Sequence, residues 1–371
     1  MIHSIPSLSL TVTAERKLLC VGLACLDTIA FVDEFPSPDS KVRSTSLHNY
    51  GGGNAANTAV AISRLGKVHV DLLTAVGNDG NGDTILQELK NENVGIHHVQ
   101  RYDGDSPWSY ILVAKDSDTR TIIHQPASAE MSIDHVKTGT IKLEEYCAVH
   151  FDCRHPEAAV YLARQCLDLG IPYSVDVERS REGLLELMKG ASIVICNADY
   201  CSLALELPTD TQDEREIIER FEMILKDQAP NAALGIMTRG SSGSYLIRSQ
   251  YICSDSSDSR DGTTVLPKES NGSPQVEKRF SALWCNVFSD SDIVDTTGAG
   301  DAFQGGLLSA LWGVVAENPS FLQMDNDVIM AHVLRIATRV ASRKNEKIGA
   351  REGLPFYQDE IIEDECKRLL Q

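Results

Sequence analysis

Residues 295–303 read Asp-Thr-Thr-Gly-Ala-Gly-Asp-Ala-Phe, directly after a short apolar stretch that is typical of a strand end. The following residues, 303–311, are apolar at helical spacing. Small residues allow a tight turn into a helix, where free N–H groups and the helix dipole favour an anion. Phosphoryl transfer needs such donors, because charge spreads over the oxygens of the transferred group. The N–H groups predicted to point at such an anion are those of Gly298, Ala299, Gly300 and Asp301.

Asp301 is the carboxylate of this stretch and lies in the first turn of the predicted helix. A carboxylate there can reach both a phosphate and an acceptor hydroxyl, and can accept the hydroxyl proton as a general base. The same residue type also caps helices. From Gly-Ala-Gly-Asp alone, a catalytic and a capping role of Asp301 both remain open.

Apolar strand-like runs alternate with helical patterns along most of the chain. Strands are predicted at 18–24, 68–76, 148–151, 173–177, 192–196 and 233–238, and helices at 54–65, 83–91 and 157–169. Such alternation is typical of βαβ units. It predicts an α/β fold with a central, mainly parallel sheet flanked by helices.

Two pairs of predicted strands have no helix between them. They are 28–35 with 42–50, and 108–113 with 120–124. Hairpins inserted between βα units predict a small antiparallel sheet, from about 28–50 and 105–125, that acts as a lid. Because exposed sheet edges tend to be paired, the lid also predicts a homodimer.

Composition and the remaining segments narrow the class of protein. Residues 1–16 are predicted to be a flexible leader before a single domain, 17–371, and the Ser- and Asp-rich segment 249–278 a disordered insertion. A net charge of −19 argues against a nucleic-acid partner. No apolar run reaches the roughly 20 residues that cross a bilayer, so no membrane partner is expected. The ten cysteines form no Cys-x-x-Cys pair, which predicts reduced thiols in a cytoplasmic protein, with a plastid or another organelle left open.

The run 295–303 resembles the C-terminal signature of the ribokinase-like, or PfkB, carbohydrate kinases. Three other stretches resemble family motifs in the family's order. They are Gly51-Gly-Gly-Asn-Ala-Ala-Asn57 and its continuation to Gly66, Val76-Gly77-x-Asp79-x-x-Gly82, and Thr238-Arg-Gly240-x-x-Gly243. The resemblance covers about residues 17 to 355, except 249–278. It implies the ribokinase fold, ATP and Mg²⁺ as cofactors, and phosphorylation of a sugar hydroxyl.

The resemblance also implies roles for single residues. Asp301 matches the family's catalytic base, and the Gly-Ala-Gly before it matches the anion hole. Asp295 and Thr297 lie near the place where many members bind a monovalent cation such as K⁺. The residues expected to contact ATP are Asn197, Thr238, Gly240, Gly243, Gly298 and Gly300.

The acceptor pocket is predicted from carboxylates and amides, which bind sugar hydroxyls by directional hydrogen bonds. Asp27 closes the first predicted strand, and the Gly-rich segment supplies Asn54 and Asn57. Taken singly, Asp27 is equally a loop carboxylate and Asn54 equally a helix cap. The segment 20–27, the Gly-rich run and 150–154 resemble the ketohexokinase subgroup in particular. The sugar contacts that this implies are Asp27, Gly53, Asn54, Asn57 and Asp301, with Asp39 reaching the partner subunit's sugar and Arg120 and Arg154 near the cleft.

Two departures keep the acceptor open. The family's Asn-x-x-Glu motif, linked to Mg²⁺ and phosphate, reads Asn197-Ala-Asp-Tyr200 here, so Mg²⁺ is expected to depend on Asn197, Asp199 or other carboxylates. The stretch 349–355 looks more like bacterial kinases of sulfonated fructose. A nucleoside kinase, with Phe31 and Trp108 stacking on a base, and a catalytically silent scaffold are the other hypotheses. The leading prediction is a ketohexose kinase.

Overall fold

The computed structural model describes residues 16–116, 119–138, 140–208, 211, 213–248, 264–265, 276–279, 282–288, 292–315 and 327–369. The described strands are β1 Lys17–Val21, β2 Cys25–Val32, β3 Ser46–Gly52, β4 His69–Leu73, β5 Ala75–Gly77, β6 Gln100–Tyr102, β7 Trp108–Ala114, β8 Thr119–Gln125, β9 Ala148–Phe151, β10 Tyr173–Val177, β11 Ile193–Asn197, β12 Leu234–Thr238, β13 Ser244–Arg248, β14 Thr264–Val265, β15 Val276–Arg279 and β16 Ala282–Cys285. The described α-helices are α1 Asn54–Leu65, α2 Gly80–Asn91, α3 Ile133–Lys137, α4 Pro156–Leu169, α5 Leu184–Gly190, α6 Ala198–Ala204, α7 Glu214–Gln228, α8 Ala299–Leu308, α9 Asp327–Lys344 and α10 Glu360–Leu369, and a π-helical turn, Ser309–Val315, continues α8.

The main sheet has ten strands in the order β14-β15-β16-β13-β12-β11-β10-β9-β1-β4. The six strands from β12 to β4 pair in parallel, and the four at the other edge are antiparallel. In such a sheet, ligands bind in the crevice outside the carboxyl ends of the parallel strands. The prediction of a mainly parallel central sheet flanked by helices is confirmed.

The parallel strands are buried on both faces, which explains their continuous apolar sequences. In β1, Leu18 and Cys20 belong to the core beneath α1, α8 and α9. Leu19 and Val21 belong to the opposite core, beneath α4, α5 and α7. Among the described helices, none is long and apolar enough to cross a membrane.

A separate four-stranded sheet forms the predicted lid. Its order is β3-β2-β7-β8, and the two hairpin pairs, β2–β3 and β7–β8, are antiparallel. The hairpins join through parallel pairing of β2 with β7. All seven residues of the outer strand β8 are exposed.

The helices α1 and α8 pack closely enough to bring two parts of the site together. A Cβ built on Gly305 of α8 would lie 2.4 Å from the Cβ of Ala61 in α1. The absence of a side chain at Gly305 therefore permits this approach. As a result, the amide of Asn57 in α1 reaches the carboxylate of Asp301 at the start of α8.

Most predicted elements agree with the observed bounds within one or two residues. The strand predicted at 18–24 ends at Val21, the helix predicted at 83–91 begins at Gly80, and the lid strands predicted at 28–35 and 42–50 are Cys25–Val32 and Ser46–Gly52. Three further predictions differ in kind. The strand predicted at 68–76 is broken at Thr74, where the chain leaves the main sheet and continues as β5, which pairs with β6. In and next to the predicted insertion 249–278, the structure describes 264–265 and 276–279. These residues form β14 and β15, which pair in sequence onto the edge of β16, whereas the prediction was disordered chain. The rest of that prediction lies outside the described residues, as do residues 1–15 of the predicted leader. Arg16 belongs to the fold, because its carbonyl accepts from His69 N at 3.0 Å.

Candidate active site

Asp301 lies at the start of α8, where the sequence placed it. Gly298 is the N-cap of this helix, with φ 74°, and a Cβ there would lie 2.8 Å from the Cβ of Ala350. Only glycine adopts this conformation readily. Ala299, Gly300 and Asp301 then follow as the first helical residues. Ala299 N donates to the carbonyl oxygen of Thr296 at 3.1 Å, so the N–H groups of Gly300 and Asp301 are the donors left open at the helix start.

The carboxylate of Asp301 is held by a chain of hydrogen bonds that begins on the Gly-rich strand. Asn57 Nδ2 donates to Asp301 Oδ2 at 2.8 Å, and Arg351 Nε donates to Asn57 Oδ1 at 2.8 Å. Arg351 also donates to the carbonyl oxygen of Gly52 at 2.9 Å and pairs with Glu88 at 3.6 Å. Asn57 is therefore oriented from behind by a buried guanidinium. The structure shows it positioning Asp301, and a sugar contact by Asn57 stays a prediction.

Two buried carboxylates at this edge of the sheet have raised pKa values. Burial raises the pKa of Asp301 to about 7, the hydrogen bond from Asn57 lowers it, and the nearby charge of Asp176 raises it further. Burial likewise raises the pKa of Asp176, in β10, to about 7. Asp176 accepts hydrogen bonds from Gln304 and, at 3.5 Å, from Asn54. A pKa near neutral pH suits a group that takes up a proton during a reaction.

On the lid side of Asp301, β2 presents Asp27 against the Gly-rich strand β3. A Cβ on Gly52 would lie 2.3 Å from Asp27 Oδ2, so glycine is needed for the side chain to lie there. Burial raises the pKa of Asp27, whereas hydrogen bonds from Ser109 and Cys25 lower it. Gly53 is the N-cap of α1, with φ 93°, and Asn54 is the first residue of that helix. The structure thus brings Asp27, Gly53, Asn54 and Asn57 together along β2, β3 and the start of α1.

Two other residues predicted near the acceptor, Arg154 and Asp39, lie outside the group formed by Asp27, Gly53, Asn54 and Asn57. Arg154 is half-buried and follows β9. The pKa of His124 in the lid is lowered mainly by burial and next by the charge of Arg154. Its backbone N–H donates to Asp152 at 2.9 Å. Asp39 is exposed on the turn after β2, with φ 60°. Within the described residues of this single chain, no hydrogen bond connects Asp39 with Asp301 or Asn57.

Four of the six predicted nucleotide residues, Thr238, Gly240, Gly243 and Gly300, line one cavity of about 260 Å³ beside the start of α8, whereas Asn197 and Gly298 do not line it. Thr238, Gly240 and Gly243 form one wall, and Ala299 and Gly300 form another. The remaining wall is partly apolar. Its residues are Ser241, Ser244, Val287, Phe288, Ile293, Thr296, Phe303, Thr338, Ala341, Ser342 and Asn345.

A second cavity, of about 400 Å³, opens beside the first and shares Thr238 and Gly240 with it. Asn197 and Asp199 line this cavity. The side chain of Asn197 accepts from Tyr200 N at 2.8 Å and donates to the carbonyl of Glu178 at 3.1 Å. Asn197 is therefore the N-cap of α6. Tyr200, which stands where the family has a glutamate, is buried, and its hydroxyl points away from this cavity toward Gln228.

The turn that leads into the anion hole is tied to the lid and to α9. Arg120 Nη1 donates to Thr297 Oγ1 at 2.6 Å and lies 3.4 Å from Asp295 Oδ1. Lys344 Nζ donates to the carbonyl oxygen of Asp295 at 2.6 Å. Burial lowers the pKa of Lys344 to about 8, although Asp295 acts against that effect. Arg120, predicted near the acceptor, therefore contacts the anion-hole turn.

Sequence reasoning did not assign roles to Asp176, Arg351, Lys344 or the wall contributed by α9. Arg351 was noted only as part of 349–355. The signal for α9 was available, since Ala337, Ala341 and Lys344 recur at helical spacing. No pattern in the sequence, however, indicates that Arg351 lies behind Asn57, because 294 positions separate them.

Comparisons with known proteins show the family and the fold of the chain. The model of the "pfkB family carbohydrate kinase" matches residues 15–257. A nucleoside kinase of Methanocaldococcus jannaschii is 26% identical over 314 residues, covering 80% of this chain and 83% of that protein. Mouse ketohexokinase is 24% identical over 306 residues, covering 80% and 89%. The structure of Arabidopsis thaliana ribokinase complexed with ribose and ATP superposes with a TM-score of 0.70 at 18% identity, covering 97% of this chain and 99% of that one. This likeness shows the ribokinase fold.

Proposed function

The chain belongs to the PfkB family of carbohydrate kinases, and from this premise we propose that it transfers the γ-phosphoryl group of ATP to a hydroxyl of a ketohexose, with Asp301 as the general base. The observation that carries the proposal is the position of Asp301, which is buried, held by Asn57 and located at the start of α8. It lies between the cavity of the predicted nucleotide residues and the polar groups of the lid side.

The reaction follows from these positions. The acceptor oxygen attacks the γ-phosphorus in line, the bond to the bridging oxygen of ADP breaks, and the hydroxyl proton passes to the carboxylate of Asp301. The N–H groups of Gly298 and Gly300 face the transferred group and stabilise its charge, whereas the N–H of Ala299 is bonded to the carbonyl oxygen of Thr296. Closure of the lid excludes water, which otherwise competes as the acceptor.

ATP is proposed to bind in the cavity of about 260 Å³ between the loop 238–243 and α8. Val287, Phe288 and Ala341 offer an apolar surface for the adenine, and the glycines let the backbone approach the phosphates. The ribokinase from Arabidopsis thaliana, complexed with ribose and ATP, supports ATP as the phosphoryl donor through the shared fold.

Mg²⁺ requires oxygen ligands, preferably carboxylates. Asp176 fits this need, because it is a buried carboxylate at the ligand edge whose hydrogen bonds come from two neutral amides. Asp176 is the residue that we propose to face Mg²⁺ in place of the missing glutamate, since both ends of the Asn197 amide are bonded to the backbone. When bound, the ion neutralises charge on the phosphates.

The acceptor is proposed to be a ketose rather than a nucleoside for a structural reason. Trp108, one of the two lid aromatics considered for stacking on a base, donates from Nε1 to Thr28 Oγ1 at 2.9 Å. The other, Phe31, packs edge-on against His48, with ring centroids 6.3 Å apart. The groups nearest Asp301 are instead carboxylates and amides, which bind hydroxyls.

An ADP-release assay with Mg·ATP tests the proposal over fructose, other ketohexoses, ribose, sulfonated fructose and nucleosides. We expect the highest kcat/KM with a ketohexose, and a loss of at least about 100-fold in kcat for Asp301→Asn, with ATP affinity retained in calorimetry. Turnover confined to nucleosides or to sulfonated fructose would refute the acceptor. Survival of activity in Asp301→Asn would refute the base. Neither turnover nor ATP binding would favour the scaffold hypothesis.

We also propose that the chain forms a homodimer through the lid. Leu47, Ile122 and Ile123 are 57%, 53% and 62% exposed on the outer strands β3 and β8, and burial of such residues stabilises an interface. Light scattering of Ile123→Lys, compared with Leu203→Lys on α6, tests this: only the former should yield monomers. A monomeric parent chain would contradict it.

The cytoplasmic location stays a prediction, supported by nine described cysteines that are all free thiols.

A further inference from the structure

Lys344 carries the most deeply buried amino group among the described lysines, since its side chain has an exposure of 0%. It is the last residue of α9, and its Nζ donates to the carbonyl oxygen of Asp295 at 2.6 Å. An ammonium group removed from water requires a compensating partner, since burial of an unpaired charge costs several kcal/mol. Here the partner is the residue that begins the turn into the anion hole.

The loop after Lys344 fixes this turn on its other sides. The carbonyl of Asn345 accepts from Val294 N at 2.8 Å and from Asp295 N at 3.1 Å. Gly349 N donates to Asp295 Oδ2 at 2.8 Å, and Thr297 N donates to Asp295 Oδ1 at 2.9 Å. Every oxygen of Asp295 thus already accepts a hydrogen bond from a described residue.

A monovalent metal ion does not fit this turn. Such an ion needs several free oxygens, but the Asp295 carbonyl faces the Lys344 ammonium, and Thr297 Oγ1 accepts from Arg120 at 2.6 Å. An ion placed on these oxygens would stand beside the Lys344 ammonium and the half-exposed Arg120 guanidinium. Repulsion by Lys344 is the stronger of the two, because water is excluded from that side chain. The assignment of Asp295 and Thr297 to a monovalent cation therefore conflicts with the side chains around them.

We propose that the ammonium of Lys344 takes the place of a monovalent cation at this turn, so that the kinase reaction does not depend on K⁺. Lys344 is a positioning residue: it holds the carbonyl of Asp295 and, through the turn 295–298, the N–H groups that face the transferred phosphoryl group. The inference rests on the proposed kinase function, since a cation requirement has meaning only for ATP binding and turnover.

The first test uses the parent chain, in buffers where tetramethylammonium replaces all alkali-metal ions. K⁺ is titrated to about 100 mM at constant ionic strength while ADP release and ATP affinity by calorimetry are measured. We expect both to change less than about twofold. Activation of about tenfold or more by K⁺ would overturn the proposal. Because ATP affinity needs no acceptor, it tests the inference even if the proposed acceptor is wrong.

The second test compares two variants. Lys344→Ala leaves empty the space of the deleted side chain, and Lys344→Met fills most of that space. Without K⁺, Lys344→Ala should bind ATP at least about tenfold more weakly than the parent chain. With K⁺ or NH₄⁺, it should regain about half of the lost free energy of ATP binding. Lys344→Met should not respond, because the methionine occupies the space. Lys347→Ala, an exposed lysine on the same loop, serves as the matched control and should behave as the parent chain.

The outcomes separate a charge role from a purely structural one. Full activity of Lys344→Ala without K⁺ would overturn the proposal. A loss that neither K⁺ nor NH₄⁺ restores would also overturn it, because a packing defect does not depend on the identity of a small cation. If both variants fail to fold, the titration of the parent chain still decides the question.

Discussion

Asn57 donates a hydrogen bond of 2.8 Å to Asp301, and this bond joins α1, the helix that follows the Gly-rich strand, to α8, whose start forms the proposed anion hole. Arg351 holds the other end of the amide, so Asn57 presents its N–H to the carboxylate in one orientation. The amide donor favours the charged form of Asp301, while burial and Asp176 disfavour it. Together these effects set the pKa of Asp301 at about 7, where a general base is effective near neutral pH.

Replacing Asn57 by Asp tests the amide donor. The substitution keeps an acceptor for Arg351 but sets a second carboxylate against Asp301, which raises the pKa of the base. We expect the rising limb of the pH profile of kcat/KM, near pH 7 in the parent chain, to move up by about one unit or more. Asn91→Asp, the same change at the exposed end of α2, should leave the profile in place. An unmoved limb in Asn57→Asp would rule out this role for the amide.

Replacing Asp176 by Asn should shift the same limb in the opposite direction. The charge of Asp176 raises the pKa of Asp301, so its removal lets the base ionise at lower pH. Because both groups have a pKa of about 7, the parent limb belongs to the pair rather than to either residue. The profile of Asp176→Asn should therefore also become a simple single titration. A limb at higher pH would contradict the assigned coupling.

Replacing Asp301 by Asn should stabilise the fold at alkaline pH. The pKa of Asp301 is about 7 in the folded chain and about 3.8 when unfolded, so folding takes up a proton between these values. Stability from this group is complete below pH 3.8 and is lost as pH rises through 7. Chemical denaturation should therefore show Asp301→Asn more stable by about 1–3 kcal/mol at pH 8, and nearly equal to the parent chain at pH 4. A difference that does not change with pH would show that Asp301 is not a buried titrating group.

Replacing Gly300 by Ala separates stability from function. A Cβ at Gly300 meets no atom within 4 Å, and alanine is the better helix former, so the melting temperature should hold or rise. The added methyl group enters the space that we assign to the phosphates, and we expect the ratio kcat/KM for ATP to fall at least about tenfold. Gly80→Ala is the matched control, since it also starts a helix and meets no atom within 4 Å. Unchanged kinetics in Gly300→Ala would place the phosphates elsewhere.

Much of the architecture follows from local sequence. The helix predicted at 54–65 and the strands at 148–151 and 173–177 have the observed bounds, because apolar periodicity and flanking glycines act over a few residues. The run 295–303 likewise indicated a helix start with Asp301 in its first turn, because glycines at a turn permit few conformations. The family resemblance then supplied the order of the motifs and the expectation of a kinase, which the comparisons confirm.

Tertiary structure alone decided how these pieces act on one another. The Asn57–Arg351 hydrogen bond, the pKa of Asp301 and the contact of Lys344 with Asp295 depend on groups far apart in the chain that folding removes from water. Burial changes the energy of a charge by an amount that no local pattern encodes, since it depends on which distant side chains close the site. The sequence therefore determined which chemical groups are present at the ends of the strands, and the packing of α1, α8 and α9 determined their protonation, their partners and their orientation.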